Sequence, residues 1–268
     1  MFVGCLFFHF IIKGGLSMSE NMKAKKNPEQ RLELIVVIML GITALLMAWG
    51  SWIGSLHGGE QATSYTTSNN LASEGNSEYN AGVQQMNQDM QLWSEISDMQ
   101  MEISFAQEND DPATVSKVSY QLFYKLDENL TERMAEAIGW NYLLSEEEYA
   151  DPEGTVAAWL ETDAAYTSPF FDEAYVTGYF ETANDLLAQS QDELEKGKTS
   201  NANGDAFGLV TVIYSVVLFL LGIIGTFKSM KNKYAIVAIS VAAFLFATIY
   251  MFTIPMPREF SLMSFFGG

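Results

Sequence analysis

Cysteine, histidine and basic residues are scarce in this 268-residue chain, and each scarcity removes a class of function. The single cysteine, Cys5, excludes an intrachain disulfide. Of the two histidines, His9 and His57, only His57 follows Met18, so a histidine-based metal site or a serine–histidine relay would need all its other groups from carboxylates or hydroxyls. No G-x-S-x-G, H-E-x-x-H, G-x-G-x-x-G or P-loop sequence occurs. We therefore predict a protein that is not an enzyme, with no catalytic residue, no cofactor and no metal site.

Charge is missing from three long apolar runs. Each run has 20 or 21 residues without Asp, Glu, Lys, Arg or His, at positions 34–53, 207–227 and 234–254. A helix of about 20 residues is about 30 Å long, which matches the hydrocarbon core of a bilayer. A buried core helix can be equally apolar, but one soluble core of this size would hardly hold three. The sequence predicts an all-α membrane protein with transmembrane helices at 34–56, 206–227 and 234–254.

The basic residues predict the orientation of these helices. Lysine and arginine are concentrated in segments 18–33 and 228–233, which flank the predicted spans. Short basic segments of this kind stay in the cytoplasm. Residues 57–205 and the tail 255–268 are then extracytoplasmic. This is the topology of a multi-pass protein of the inner or plasma membrane, with the lipid bilayer as a partner.

Aromatic and small residues in the spans predict how they are anchored and packed. Trp49 and Trp52 lie where the first span meets the outer interface, the usual place for interfacial rings. Small residues at four-residue spacing let helix backbones approach closely. The candidates for such packing are Gly50, Gly54 and Gly58 in the first span and Ala238 and Ala242 in the third. They fit either packing among the chain's own helices or a seam in a homo-oligomer.

Segment 1–17 fits neither a signal peptide nor a span. Its apolar stretch 2–12 has no basic start, no cleavage site after it and too few residues to cross a bilayer. The codons of Lys13-Gly14-Gly15 can form a ribosome-binding sequence shortly before Met18. We expect the natural protein to begin at Met18 and the preceding residues to be a translated leader.

The segment 57–205 is strongly acidic. It contains 29 Asp or Glu and five Lys or Arg, a net charge of −24. Such a surface repels nucleic acid and anionic lipid headgroups, so neither is an expected ligand. The charge fits a solvated helical surface, or a site for divalent cations or a basic partner. The acidic clusters 108–111 and 146–148 do not have the ligand spacing of a calcium loop.

Apolar periodicity and proline positions predict helices throughout this acidic segment. Residues 60–108 contain no proline and carry apolar residues at three- and four-residue steps, so we expect a long helix that continues the first span. Asp111-Pro112 and Asp151-Pro152 are typical helix starts. The second helix has an apolar stripe that continues to Ile138, and a last helix begins near Asp172. The predicted fold is an antiparallel helical-bundle or coiled-coil domain outside the cytoplasm.

Four short motifs follow one another along the chain: Ala48-Trp49-Gly50-Ser51-Trp52, Gly59-Glu60-Gln61-Ala62, Ala158-Trp159-Leu160 and Ser168-Pro169-Phe170. In kind and order they resemble those of a widespread family of uncharacterised prokaryotic membrane proteins. The resemblance implies one N-terminal and two C-terminal transmembrane helices that flank a helical extracytoplasmic domain. His57 stands where the family tends to have an aromatic residue. The Arg-rich stretch of many relatives is missing here, and the resemblance implies no activity.

These observations favour a protein that acts by contact. We predict a membrane-anchored scaffold, or a helical ectodomain that binds a partner or ligand, with a homo-oligomer or another membrane protein as further partners. The alternative is a subunit of an oligomeric channel or a transport accessory protein. The spans offer hydroxyl groups but no ionisable groups, which are the usual mark of coupled carriers.

Overall fold

A computed structural model describes residues 28–258, which form eight α-helices joined by short 3₁₀ segments. The predicted leader 1–17 and most of segments 18–33 and 255–268 lie outside the described residues. The long helices are α1 (Pro28–Glu108), α7 (Glu181–Gly222) and α8 (Met230–Thr253). The others are α2 (Pro112–Asn129), α3 (Glu132–Ala137), α4 (Glu146–Ala150), α5 (Pro152–Leu160) and α6 (Glu173–Thr177).

Three helices are long and apolar enough to cross a membrane, which supports a multi-pass membrane protein. They are Pro28–Glu108, Glu173–Thr226 and Met230–Thr253, and they contain the three predicted apolar runs. Only 17%, 33% and 17% of their most apolar windows are buried within the chain. The exposed remainder is as apolar as a lipid-facing surface must be. The all-α class of the sequence prediction is confirmed for the part of the chain that the structure describes.

The chain divides into two compact units. Among the described residues, unit 1 contains 28–61 and 198–258, and unit 2 contains Ala62–Gly197. The helices α1 and α7 contribute residues to each unit.

In unit 1, apolar side chains of α1, α7 and α8 form two buried clusters. The first contains Ile53, Phe207, Val210, Tyr214, Ala247, Met251 and Ile254, and the second contains Val36, Val217, Leu221 and Ile224. Polar contacts occur at two ends of this bundle. Lys233 Nζ lies 2.5 Å from Glu29 Oε1, so α1 and α8 begin at the same end. His57 Nε2 lies 3.0 Å from the Pro255 carbonyl oxygen at the other end. The apolar bodies of the helices lie between these contacts.

In unit 2, α1 and α7 run antiparallel. The hydroxyl of Ser68 donates to the Ser190 carbonyl oxygen at 2.8 Å, and a Cβ built on Gly75 would lie 3.0 Å from Leu187 Cγ. The main core of the unit joins α1 to α2, α3 and α5. Its buried members include Ile96, Ile103, Val118, Leu122, Phe123, Leu126, Met134, Ile138, Val156 and Trp159.

Local capping chemistry explains most of the helix boundaries in unit 2. α1 ends where Asp110 takes a left-handed conformation with φ 54°, which a short polar side chain tolerates. The side chain of Asp111 then caps the Thr114 amide at the start of α2. Asp151 caps the Gly154 amide of α5 in the same way, so both predicted Asp-Pro starts are helix starts.

Two details of the helix prediction are wrong. The stripe that we expected to continue to Ile138 in one helix is divided, because α2 ends at Asn129 and extended Thr131 caps a separate α3. The helix α4 was not predicted, although Ser145 and Glu148 form a capping box that its sequence contains. The helix α8 begins at Met230, four residues before the predicted span 234–254.

Candidate partner-binding site

An open groove on unit 2 is the candidate functional site. One wall is a single face of α1, and the other is formed by the 3₁₀ segments Asp163–Tyr166 and Pro169–Phe171. The groove encloses about 330 Å³. Its lining residues are Trp93, Ser97, Gln100, Met101, Ser104, Phe105, Glu108, Tyr166, Ser168 and Phe171. The α1 members recur at three- and four-residue steps, which places them along one stripe. We call this feature the aromatic groove.

The rim of the aromatic groove is apolar and exposed to solvent. Phe171 is 89% exposed, Phe105 62%, Tyr166 56% and Met101 53%. Burying a large apolar side chain is worth about 1.5–3 kcal/mol relative to leaving it in water. Four such side chains around one groove therefore form the kind of exposed apolar patch that marks an interaction site. Covering them would supply a substantial part of a binding free energy.

Buried polar contacts hold the second wall against α1. Gln100 is 5% exposed, and its Nε2 donates to the Ala165 carbonyl oxygen at 2.7 Å. Pro169 is buried, while the ring of its neighbour Phe170 meets Tyr175 edge to face at 5.5 Å between centroids. These contacts fix the backbone on each side of Phe171, so that the exposed ring projects from a rigid support.

A buried carboxylate lies further along α1 in unit 2. Asp89 is 3% exposed and accepts hydrogen bonds from Gln85 Nε2 at 2.7 Å and from the hydroxyl of Tyr179 at 2.5 Å. The hydroxyl of Tyr175 lies 3.3 Å from the same carboxylate. A buried charge is tolerated only when it is satisfied in this way. The cluster ties α6 and the 3₁₀ turn that follows it to α1.

Burial sets the acidity of the two tyrosines. It raises the pKa of Tyr175 to about 12, to which the neighbouring Asp89 charge also contributes. Burial likewise raises the pKa of Tyr179, with its hydrogen bond to Asp89 as the next cause. Both phenols therefore stay protonated near neutral pH and act as hydrogen-bond donors. They have no tendency to act as bases, which fits a structural role.

Arg133 of α3 completes this cluster from the other side. Its Cζ lies 4.9 Å from the ring centroid of Tyr175 and 4.7 Å from that of Tyr179, a cation–π arrangement. The guanidinium also donates to the Tyr175 carbonyl oxygen. A Cβ at Gly178 would overlap the guanidinium, so a larger residue there would displace the Arg133 side chain from this position. Arg133 thus holds the backbone that leads from the aromatic groove into α7.

A second cleft on unit 2 encloses about 540 Å³ and is lined by Trp140, Trp159 and several carboxylates. Glu148 accepts from the Ser145 amide, which lowers the pKa of its carboxyl, and Asp151 caps α5. Trp159 Nε1 donates to the Ile138 carbonyl oxygen at 2.9 Å. These groups are engaged in holding the helices together, so this cleft is a weaker candidate than the aromatic groove. Among residues 28–258, no group of three or more His, Cys, Asp or Glu is placed to hold a metal ion.

The predicted packing residues of the first span occupy different surroundings in unit 1. A Cβ on Gly50 would lie 3.6 Å from Thr211 Cγ2, and one on Gly54 would lie 3.2 Å from Phe207 Cβ, so both glycines face α7. A Cβ on Gly58 would meet no atom within 4 Å.

The other predicted residues of the spans lie toward the outside of unit 1. Ala238 and Ala242 of α8 are exposed. Trp49 and Trp52 are half-buried and meet edge to face at 5.4 Å between ring centroids. The structure thus places Gly50 and Gly54 against a helix of the same chain, whereas Gly58 and the two alanines lie on open surface.

His57 is more deeply placed than an interfacial side chain would be. It is 1% exposed and stacks on Phe207 with 5.8 Å between ring centroids. Its Nε2 lies 3.0 Å from the Pro255 carbonyl oxygen, and its Nδ1 lies 3.5 Å from Glu60 Oε2. Glu60 also accepts from the Ser200 hydroxyl at 3.2 Å. These contacts join α1, α7 and the segment after α8 within unit 1.

Sequence reasoning did not find the aromatic groove. The apolar residues at three- and four-residue steps in segment 60–108 form a stripe that includes Trp93, Ile96 and Ile103. All three pack on or in the core, and Trp93 also lines the groove. Met101 and Phe105 lie off that stripe. Their position as large apolar residues on the polar side of a helix is the sequence feature that could have indicated the groove. Comparison of the chain with protein-family models, with curated proteins and with solved structures gives no match.

Proposed function

We propose that this multi-pass membrane protein is a membrane-anchored docking protein, which binds another polypeptide in the aromatic groove of unit 2. The single observation that carries the proposal is the exposed apolar rim formed by Met101, Phe105, Tyr166 and Phe171. An apolar patch of this kind is costly to leave in water, and a scaffold retains it because a partner covers it. No chemical step is part of this function.

The proposed topology has residues 57–205 outside the cytoplasm and the N-terminal segment inside. Its support is the concentration of lysine before the first span and in segment 228–233. The ion pair between Lys233 and Glu29 is compatible with it, since both residues lie at the end of unit 1 that this topology assigns to the cytoplasm. A cysteine introduced at Leu143 should react with a membrane-impermeant maleimide in intact cells. Labelling only after lysis would contradict the orientation.

Exposed rings favour a polypeptide over a small molecule as the ligand. A small ligand is usually enclosed by most of its site, whereas the rings of Phe105 and Phe171 are more than half exposed. An amphipathic segment laid along the groove would cover both walls at once, with apolar side chains at helical spacing as anchors. Because contacts already hold the backbone around Phe171, the docking protein loses less conformational entropy when a partner binds.

Site-specific photocrosslinking in cells tests the docking function. A photoreactive phenylalanine analogue is placed at position 105 or 171 of the full chain, and at Leu143 as a matched control that is 83% exposed and does not line the aromatic groove. We expect one identified protein to be captured from both groove positions and not from 143. The purified partner should then bind the reconstituted chain, and Phe171→Ser should weaken that binding by about tenfold or more. Equal capture from all three positions would contradict the proposal.

A further inference from the structure

The charge of unit 2 restricts what can enter the aromatic groove. Residues 62–197 contain 27 Asp or Glu and four Lys or Arg. Three of the four cations are already engaged. Lys125 lies 2.5 Å from Glu95, Lys196 lies 2.5 Å from Glu193, and Arg133 is stacked on two tyrosine rings. An approaching molecule therefore meets a negative surface with few cations left to pair with it.

The negative charge also extends to one end of the aromatic groove. Glu108 lines the groove at the last residue of α1, and Asp110 and Asp111 follow it. The carboxylate of Asp111 accepts hydrogen bonds from the hydroxyl and the amide of Thr114. These bonds lower the pKa of the Asp111 carboxyl and keep it ionised. The groove is thus apolar between Met101 and Phe171 and acidic beyond Glu108. This asymmetry specifies the orientation of a ligand that has apolar side chains at one part and cationic side chains at another.

Other occupants fit these charges poorly. A second copy of unit 2 would bring a surface of the same sign, and like charges at an interface cost binding free energy. Anionic lipid and nucleic acid are repelled for the same reason. A neutral apolar segment would cover the rim but leave the carboxylates at the acidic end without partners.

We infer that the occupant of the aromatic groove is a cationic amphipathic segment of another protein. Its apolar side chains cover Met101, Phe105 and Phe171, and its lysine or arginine side chains lie against Glu108 and Asp110. The inference rests on the docking function proposed above and names the class of partner. The apolar contacts supply most of the affinity, while the charges set the orientation and speed association.

Defined peptides test this inference on the full chain in nanodiscs of zwitterionic lipid. The probe is a fluorescein-labelled Leu/Lys peptide with leucine at i, i+3, i+4 and i+7. The two reference peptides are an isomer of the same composition with leucine on all faces, and a Leu/Glu version of the probe. Binding is measured by fluorescence anisotropy, with empty nanodiscs as the blank.

We expect saturable binding of the amphipathic Leu/Lys peptide. The double substitution Phe105→Ser and Phe171→Ser should weaken it by at least about tenfold, whereas Leu143→Ser should not change it. Glu108→Gln with Asp110→Asn should weaken binding at low salt and reduce its dependence on salt concentration. Asparagine at 110 tolerates the left-handed backbone found there, so this variant keeps the end of α1 intact.

Three results would overturn the inference, and they differ in whether they also contradict the docking function. If the Leu/Glu peptide binds as well as the Leu/Lys peptide and depends on Phe171, the partner is not cationic but the docking function stands. If both Leu/Lys isomers bind equally and Phe171 has no effect, the acidic surface attracts cations without a site. If no peptide binds and photocrosslinks are not confined to the groove, the docking function itself fails.

Discussion

Gly82 of α1 lies close against the backbone of another segment of unit 2, which allows a stringent test of the fold. A Cβ built on Gly82 would overlap the Tyr179 carbonyl oxygen in the 3₁₀ turn before α7. The neighbouring rings of Tyr79 and Phe180 stack at 4.9 Å between centroids, so the two segments are held together beside the glycine. Gly82→Ala must therefore push the backbone of the turn away from α1.

The magnitude follows from two opposing effects. Replacing glycine by alanine within a helix stabilises it by about 0.5–1 kcal/mol. Overpacking against a backbone atom that cannot rotate away costs about 1–3 kcal/mol. We expect a net loss of about 1–2 kcal/mol, which lowers the Tm by several degrees at about 2–4 °C per kcal/mol.

Two matched glycine substitutions calibrate this prediction. A Cβ on Gly58 of the same helix would meet no atom within 4 Å, so Gly58→Ala should raise the Tm slightly. A Cβ on Gly75 would lie 3.0 Å from Leu187 Cγ, the atom of a flexible side chain, so Gly75→Ala should have an intermediate effect.

Tm is measured by differential scanning fluorimetry of the purified chain in detergent, and hydrogen exchange of segment 173–183 locates the change. Normal stability and normal protection of this segment in the Gly82→Ala protein would refute the packing described here.

The remaining predictions concern single contacts. Burial raises the pKa of Tyr175 from 10.0 to about 12, so its phenol stabilises the fold below pH 10 and this stabilisation is lost as the pH rises through about 12. In an ultraviolet titration, the Tyr175→Phe protein should show one late-ionising phenol fewer than the unchanged protein. Identical titration curves would contradict the burial of Tyr175. Nε2 of His57 lies within hydrogen-bond distance of the Pro255 carbonyl oxygen, so we expect His57→Phe to release the segment after α8 and to speed tryptic cleavage after Arg258. Equal cleavage rates would show that the histidine does not hold this segment. Gly54→Leu should lower the Tm because of its contact with α7, whatever the oligomeric state, whereas Leu at the exposed position 238 should leave the Tm unchanged. If neither leucine changes the mass in native mass spectrometry, the predicted oligomer seam is absent.

The features that could be predicted from the sequence depend on the local order of residues. Three uncharged runs long enough to cross a bilayer can be recognised from the sequence alone, because the length of a helix follows from its residue count. The helix starts at Asp111-Pro112 and Asp151-Pro152 were equally accessible, since a cap needs only a side chain and an amide three residues later. Composition alone showed the acidity of segment 57–205.

The break between α2 and α3 shows where local reasoning ends. The apolar stripe continues without interruption across Leu130, so its period predicts one helix. The chain bends after Asn129 instead, and Thr131 caps a new helix. With this bend, both Leu130 and Met134 are buried in the core. Tertiary packing thus overrides the local preference for one continuous helix.

The candidate site depended wholly on tertiary structure. Its two walls are about 65 residues apart in sequence, and they meet through the hydrogen bond from Gln100 to Ala165 and through the core that Ala165 shares with Ile96 and Ile103. The same holds for Asp89, an ordinary acidic residue in the sequence that is a buried acceptor for Tyr179 in the fold.

Sequence therefore determined that this chain is helical, is acidic and has three runs long and apolar enough to cross a membrane, because length, composition and capping are local properties. The tertiary structure decided which of its many aromatic and acidic side chains lie together, because that depends on distances between residues far apart in the chain.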